Sequence, residues 1–193
     1  GVYRTITPGV ENVPTATGAV LAGNHESYLD PAMLWCVTPR PCHFMAKREL
    51  FTGVMGWALP RLWSFPVERG APDRTAITTA VRYLEAGDLV GIFPEGTRRV
   101  EGVESEVHGG AAFIALKAGV PIVPVAFVGT DRAWPKGRKL PRPGRLTFKY
   151  GTPVYPSQFA EGTRKEQVAA MTAEVMRRIG EELVAAKEID DAR

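Results

Sequence analysis

Gly18-Ala19-Val20-Leu21-Ala22-Gly23-Asn24-His25-Glu26-Ser27-Tyr28-Leu29-Asp30-Pro31 decides the reading of the fold. Residues 19–22 form a short, wholly apolar run, as expected of a strand buried on both faces. Gly23 and Asn24 break that run, so His25 falls at a strand end, where α/β sheets place their ligands. His25 and Asp30 are five residues apart, and five steps along a straight helix leave two side chains about 140° from eclipsed. A turn must therefore lie between them if the carboxylate is to reach the imidazole. Given that turn, Asp30 fixes the tautomer of His25 and leaves the other ring nitrogen as a general base for a hydroxyl. The plainer alternative has Asp30 capping a helix whose first residue is Pro31, which suits an Asp-Pro pair.

The same pattern recurs outward from this stretch. Residues 89–93, 122–127 and 146–150 read as further strands, the first two nearly continuous in apolar residues. Between them lie helices. Asp73 caps a segment whose Ile77, Ala80, Val81 and Leu84 share one face, with Gly87 as its stop. Residues 111–118 form a shorter helix ended by Gly119. Thr163-Arg164-Lys165-Glu166 fits a capping box for a last helix over 163–187, in which Val168, Met171, Val175, Ile179 and Leu183 recur at helical spacing. Alternating strands and helices define an α/β fold. With 193 residues, 45% hydrophobic and 23% charged, the chain suits a single domain and excludes a disordered segment.

Two stretches stand apart. Residues 50–65 hold two of the four Trp and a single charge, and read either as a surface that wraps an acyl chain or dips into a membrane interface, or as an ordinary buried helix. Residues 132–145 carry six basic residues, no acidic one, a Trp and three Pro, a stiff cationic loop. The whole chain has a formal net charge of +3, a mild basic excess suited to phosphate-bearing or anionic partners. Cys36 and Cys42 read as free thiols in a reducing compartment. No apolar run reaches the roughly 18 residues needed to span a bilayer, so no membrane-spanning segment is expected.

Phe93-Pro94-Glu95-Gly96-Thr97-Arg98-Arg99 closes the strand at 89–93. Gly96 permits a tight backbone, Thr97 and nearby amides donate hydrogen bonds, and Arg98 offers a planar fork to a phosphate. The same composition also suits a plain turn. Only three His are present, without zinc-site spacing, and neither phosphate-loop nor dinucleotide glycine motifs occur, so no metal or cofactor is expected. Ser27 lies outside any nucleophile elbow, which argues against an acyl-enzyme.

Taken together, residues 24–30 and 93–98 resemble the phospholipid and glycerolipid acyltransferase family, whose 1-acylglycerol-3-phosphate acyltransferases carry N-H-x4-D followed by F-P-E-G-T-R. Residues 44–51 with 65–69, and 120–126, resemble two further family blocks, so the likeness covers about residues 10–151. It implies a mixed, mostly parallel sheet flanked by helices. It implies His25 as general base, Asp30 as its orienting partner, and Lys47 and Asn24 in oxyanion or positioning roles. Arg69, Glu95, Gly96, Thr97 and Arg98 are implied to hold the acceptor phosphate. The implied reaction moves a fatty acyl group from acyl-CoA or acyl carrier protein to lysophosphatidic acid or a similar lysolipid. The implied partners are those substrates and an anionic membrane surface, and not nucleic acid. Another acceptor, such as glycerol 3-phosphate, a glycolipid, an ornithine lipid or a specialised metabolite, and a thioester hydrolase are the alternatives. Two departures bear on the acceptor: Trp63 stands where relatives have a small Gly, and His108-Gly109-Gly110 stands where they show Phe-Lys-x-Gly.

Overall fold

The computed structural model of the chain describes residues 3–68, 73–95, 107–135, 137, 138 and 140–192. In chain order its elements are β1 (Tyr3–Ile6), β2 (Ala19–Gly23), α1 (Leu29–Val37), β3 (Cys42–Lys47), α2 (Gly53–Arg61), β4 (Ser64–Val67) and α3 (Arg74–Glu85). They are followed by β5 (Leu89–Ile92), α4 (Gly110–Ala118), β6 (Ile122–Val128), α5 (Thr130–Ala133), β7 (Gly144–Tyr150) and α6 (Arg164–Asp191). Among the described residues the strands form a seven-stranded sheet in the order β1-β7-β6-β2-β5-β3-β4. The five strands from β6 to β4 run parallel, β7 is antiparallel to β6, and β1 pairs parallel with β7. This is the mixed, mostly parallel α/β sheet expected.

Side-chain alternation divides the core between two faces. On one face Val20, Ala22, Val90 and Ile122 pack with buried residues of α3, α4 and α6. On the other, Leu21, Leu89, Val125, Phe127 and Phe148 pack with Leu29 and Leu34 of α1. Because both faces are covered, β2 and β6 are apolar without interruption and read clearly in the sequence. Pro124 sits inside β6, although proline usually keeps to sheet edges. Its carbonyl points toward β7 and accepts Gly151 N–H at 2.8 Å, just past the last β6–β7 pair, so its missing N–H falls where that ladder ends.

The helix signals hold in detail. The Asp73 carboxylate accepts Ala76 N–H at 3.0 Å as the α3 cap. Thr163 and Glu166 form the reciprocal capping box of α6, which buries Met171, Val175 and Ile179 and runs on to Asp191. The cap reading of Asp30 is overturned. α1 begins at Leu29, and the Asp30 carboxylate turns backward onto Glu26 and Ser27 instead of capping forward. The buried-helix reading of residues 50–65 also fails for α2, which buries only Leu59 and leaves Val54, Met55 and Trp57 exposed. Arg61 folds over the Trp57 ring at 4.1 Å.

Trp63, between α2 and β4, has φ 59, the one left-handed non-glycine residue among those described. That region costs an L-residue about 1–2 kcal/mol, whereas glycine adopts it freely. The conformation brings the Trp63 carbonyl to Phe44 N–H at 3.0 Å and sets the indole edge-on to His43 at 5.0 Å. His43 is buried, stacked on Tyr83 at 3.6 Å and bonded through Nε2 to Asp88 at 3.1 Å. Burial pushes its pKa below the ordinary value, against the opposing pull of Asp88. The folded state therefore binds fewer protons than the unfolded one, and stability declines as pH falls below about 6.5. Thermal unfolding followed from pH 7 to pH 5 should show this decline, and His43→Gln should flatten it. An unchanged slope in that variant would remove His43 as its source.

Candidate active site

The site forms where chain direction reverses. From β2 the chain leaves through α1, on the face of Leu21, and crosses to β3; from β5 it leaves toward α4, on the opposite face, and crosses to β6. Since β2 and β5 are neighbours, the two departures open a crevice at their carboxyl ends, the switch point at which α/β sheets bind ligands.

Residues 24–30 cross that opening. A Cβ on Gly23 would lie 2.2 Å from the Phe127 ring, so only glycine lets the strand pass here. Asn24 is buried and continues the β2–β6 ladder with its side chain. Its Oδ1 accepts Phe127 N–H at 2.8 Å, and its Nδ2 donates to the Phe127 carbonyl and to Glu26 Oε1, both at 3.1 Å. With the strand exit clamped, the next residues turn tightly, and Asp30 N–H donates to the Ser27 carbonyl at 3.2 Å.

Asp30 is the centre of this turn. Its side chain is fully buried, while that of His25 is 12% exposed. A single oxygen, Oδ2, meets His25 Nδ1 at 2.8 Å and accepts the N–H groups of Glu26 and Ser27, each at 2.7 Å. A carboxylate that receives two amides can only accept from the imidazole, so the proton resides on Nδ1 and Nε2 carries the lone pair. The His25 ring also stacks on Phe93 at 4.3 Å, with the planes 21° apart, which fixes its orientation. The arrangement supplies an oriented base and a buried negative charge ready to stabilise the imidazolium.

Of the other residues singled out from the sequence, Glu95 is buried just beyond β5. Lys47 ends β3 and is exposed, and its side chain forms no hydrogen bond or ion pair among the described residues. β5 alone separates β3 from β2, so the two strand ends lie about 10 Å apart. Arg69, Gly96, Thr97 and Arg98 lie outside the described residues. Arg48 pairs with Glu68 at 2.9 Å, and Asp73 accepts Glu68 N–H at 2.9 Å. His108 is tied through its N–H to the Pro94 carbonyl at 2.9 Å.

No second nucleophile stands beside the dyad among the described residues. Ser27 Oγ donates to the Trp134 carbonyl at 3.1 Å and receives Leu29 N–H at 3.3 Å, so that hydroxyl is used within the turn. Cys42 is buried, which raises its thiol pKa and keeps it protonated, and Cys36 is a free thiol on α1. The described residues hold no group of three His, Cys, Asp or Glu able to bind a metal ion, and no helix among them long and apolar enough to cross a membrane. The roles of Ser27 and Phe93 were not legible in advance, since a serine and an aromatic near a histidine carry no distinctive spacing.

Comparison with known proteins supplies an independent measure. A family model described as Acyltransferase matches residues 5–128. The chain is 36% identical over 173 residues to the 1-acyl-sn-glycerol-3-phosphate acyltransferase of Bacillus subtilis (strain 168), across 89% of this chain and 84% of that protein. It is 36% identical over 140 residues to a chloroplastic 1-acyl-sn-glycerol-3-phosphate acyltransferase of Brassica napus, across 70% of this chain but only 40% of that longer protein. Its fold matches the crystal structure of the 1-acyl-sn-glycerophosphate (LPA) acyltransferase PlsC from Thermotoga maritima. That match has TM-score 0.72 and 29% identity, and covers 92% of this chain and 71% of that one.

Proposed function

The chain belongs to the Acyltransferase family, and from that premise we propose that it transfers a fatty acyl group from an acyl thioester to the hydroxyl of lysophosphatidic acid or a closely similar lysolipid. The observation that carries this reading is the contact between His25 Nδ1 and the buried Asp30, at the open carboxyl edge of β2. An alcohol ionises only far above neutral pH, so attack on the thioester carbonyl needs a base. His25 Nε2 takes the hydroxyl proton as the oxygen–carbon bond forms. Collapse of the tetrahedral intermediate breaks the carbon–sulfur bond. The thiolate, whose conjugate acid has a pKa near about 8.5, leaves readily and recovers the proton from His25.

In this reading Asn24 positions the dyad by holding the exit of β2. Lys47 extends from β3 toward the developing oxyanion, a contribution of about 10²–10³-fold for a well-placed donor. Arg69 and Arg98, with Gly96 and Thr97, grip the acceptor phosphate, while buried Glu95 seats that motif. Direct transfer, acyl-CoA or acyl carrier protein as donor with no bound cofactor, and peripheral attachment to a membrane belong to the same proposal. The exposed apolar side chains of α2 suit such attachment.

The test is thiol release from a panel of acyl-CoAs, with and without lysophosphatidic acid, with products identified by mass spectrometry. Diacyl product that requires the acceptor supports the proposal, and free acid formed equally without acceptor would replace it with thioester hydrolysis. Arg98→Ala should raise the acceptor KM far more than the donor KM. Equal effects on both would remove the phosphate-gripping role.

A further inference from the structure

We propose that the basic loop between α5 and β7 is a docking surface for anionic bilayers, holding the catalytic turn against the lipid surface. The proposal deepens the acyltransferase reading, since it places the mouth of the dyad where a lysolipid acceptor resides. The loop is fastened directly to the catalytic turn. Ser27 Oγ donates to the Trp134 carbonyl at 3.1 Å, and the Tyr28 and Trp134 rings meet edge to face at 6.1 Å. Trp134 Nε1 in turn donates to the Arg138 carbonyl at 2.8 Å. Arg142 N–H donates to the Ala133 carbonyl at 2.9 Å, and Arg142 Nε to the Arg132 carbonyl at 2.9 Å. A loop tied at these points moves with residues 25–30.

Its charge is available to a partner. The Arg132 guanidinium is engaged by the buried Asp190 carboxylate and contributes little outward field. Arg138, Arg142 and Arg145 are exposed and form no ion pair among the described residues. Two large side chains of these same segments are also exposed, Leu140 of the loop at 74% and Tyr28 of the turn at 63%. Cations that interleave with an aromatic and a protruding leucine match a bilayer interface. The arginines meet anionic headgroups, and the aromatic and aliphatic groups enter the boundary beneath them.

Sedimentation of the full chain with vesicles tests the proposal. Vesicles of phosphatidylcholine mixed with phosphatidylglycerol should bind it, phosphatidylcholine alone should bind it weakly, and high salt should reverse the difference. Replacing Arg138 and Arg142 by Gln should weaken binding to the mixed vesicles about fivefold for each arginine and about 25-fold together. Replacing both by Lys should preserve it, because the charge remains although the Nε hydrogen bonds of Arg138 to the Leu140 carbonyl and of Arg142 to the Arg132 carbonyl are lost. Equal binding to neutral and anionic vesicles, native-like binding by the Gln pair, or equal loss in the Lys pair would overturn the proposal. So would a Gln pair that keeps vesicle binding but loses affinity for acyl carrier protein, which would make the loop a reader of an acidic protein. Thiol release to a short-chain soluble acceptor without vesicles separates the two proposals. Silence there with vesicle binding intact sinks the acyltransferase reading alone, and activity there without vesicle binding sinks the docking surface alone.

Discussion

In the His25→Ala variant, acceptor-dependent thiol release should fall by about 10²–10⁴-fold in kcat, the range for loss of a positioned general base. The effect is expected in kcat more than in KM, because in the proposed mechanism His25 acts on the proton that moves during attack. Among the described residues nothing nearby substitutes for it: Ser27 Oγ is engaged by the Trp134 carbonyl and the Leu29 amide, and Cys42 is buried as a protonated thiol. The variant should still fold, since Asp30 retains its two amide donors from Glu26 and Ser27. Initial-rate assays at saturating donor and acceptor, with circular dichroism as the check on folding, measure the outcome. A folded variant that keeps a tenth or more of native kcat would exclude His25 as the base.

Asp30→Asn should be nearly as damaging, by about 10³–10⁴-fold, for a different physical reason. One carboxylate oxygen accepts from His25 Nδ1 and from two backbone amides. The Asn carbonyl can retain the amide contacts, which keeps the turn. It carries no charge to stabilise the imidazolium, and its amide nitrogen enters the buried position of Oδ1, which has no hydrogen-bonding partner. Asp30→Ala goes further and leaves three donors without their acceptor in a buried site, at a cost of about 3–5 kcal/mol in stability. The two variants should therefore separate: Asn folded with low kcat, Ala unstable as well as inactive. Thermal denaturation beside steady-state kinetics distinguishes them. A fully active Asn variant would show that the Asp30 charge has no part in the reaction.

Much of this architecture was legible because burial writes itself into sequence. β2, β5 and β6 read as strands from their apolar runs and β7 as a short run bounded by turn residues, and Asp73 and Thr163 marked helix starts that hold atom by atom. β3 escaped notice because His43 and Lys47 interrupt its apolar character, although His43 is buried through its stacking on Tyr83. β1 and β4 are four-residue edge strands, and β4 contains Pro66, a residue that argues against a strand unless one side of the strand is unpaired. In the site, the spacing of His25 and Asp30 required a turn, and a turn is present. The sequence left open which way Asp30 faced, since one carboxylate serves either as a forward cap on the amides after it or, as here, as an acceptor for the amides of Glu26 and Ser27 before it. The clamp by Asn24 depends on Phe127, far along the chain, and no local pattern could reveal it.

The placement of β2 has a consequence for how the protein is made. During synthesis β2 emerges before the strands it pairs with, β5, which begins at Leu89, and β6, which begins at Ile122, and it does not pair with its successor β3. β1 waits longer still, for β7 at Gly144. Until those segments leave the ribosome, the strand that carries His25 has both edges unpaired and apolar side chains on both faces. A nascent chain in that state is prone to association and suited to protection by a chaperone. The turn of residues 24–30, clamped through Asn24 to β6, completes only once residue 127 is in place, so fragments ending before β6 would present the histidine without the support that orients it.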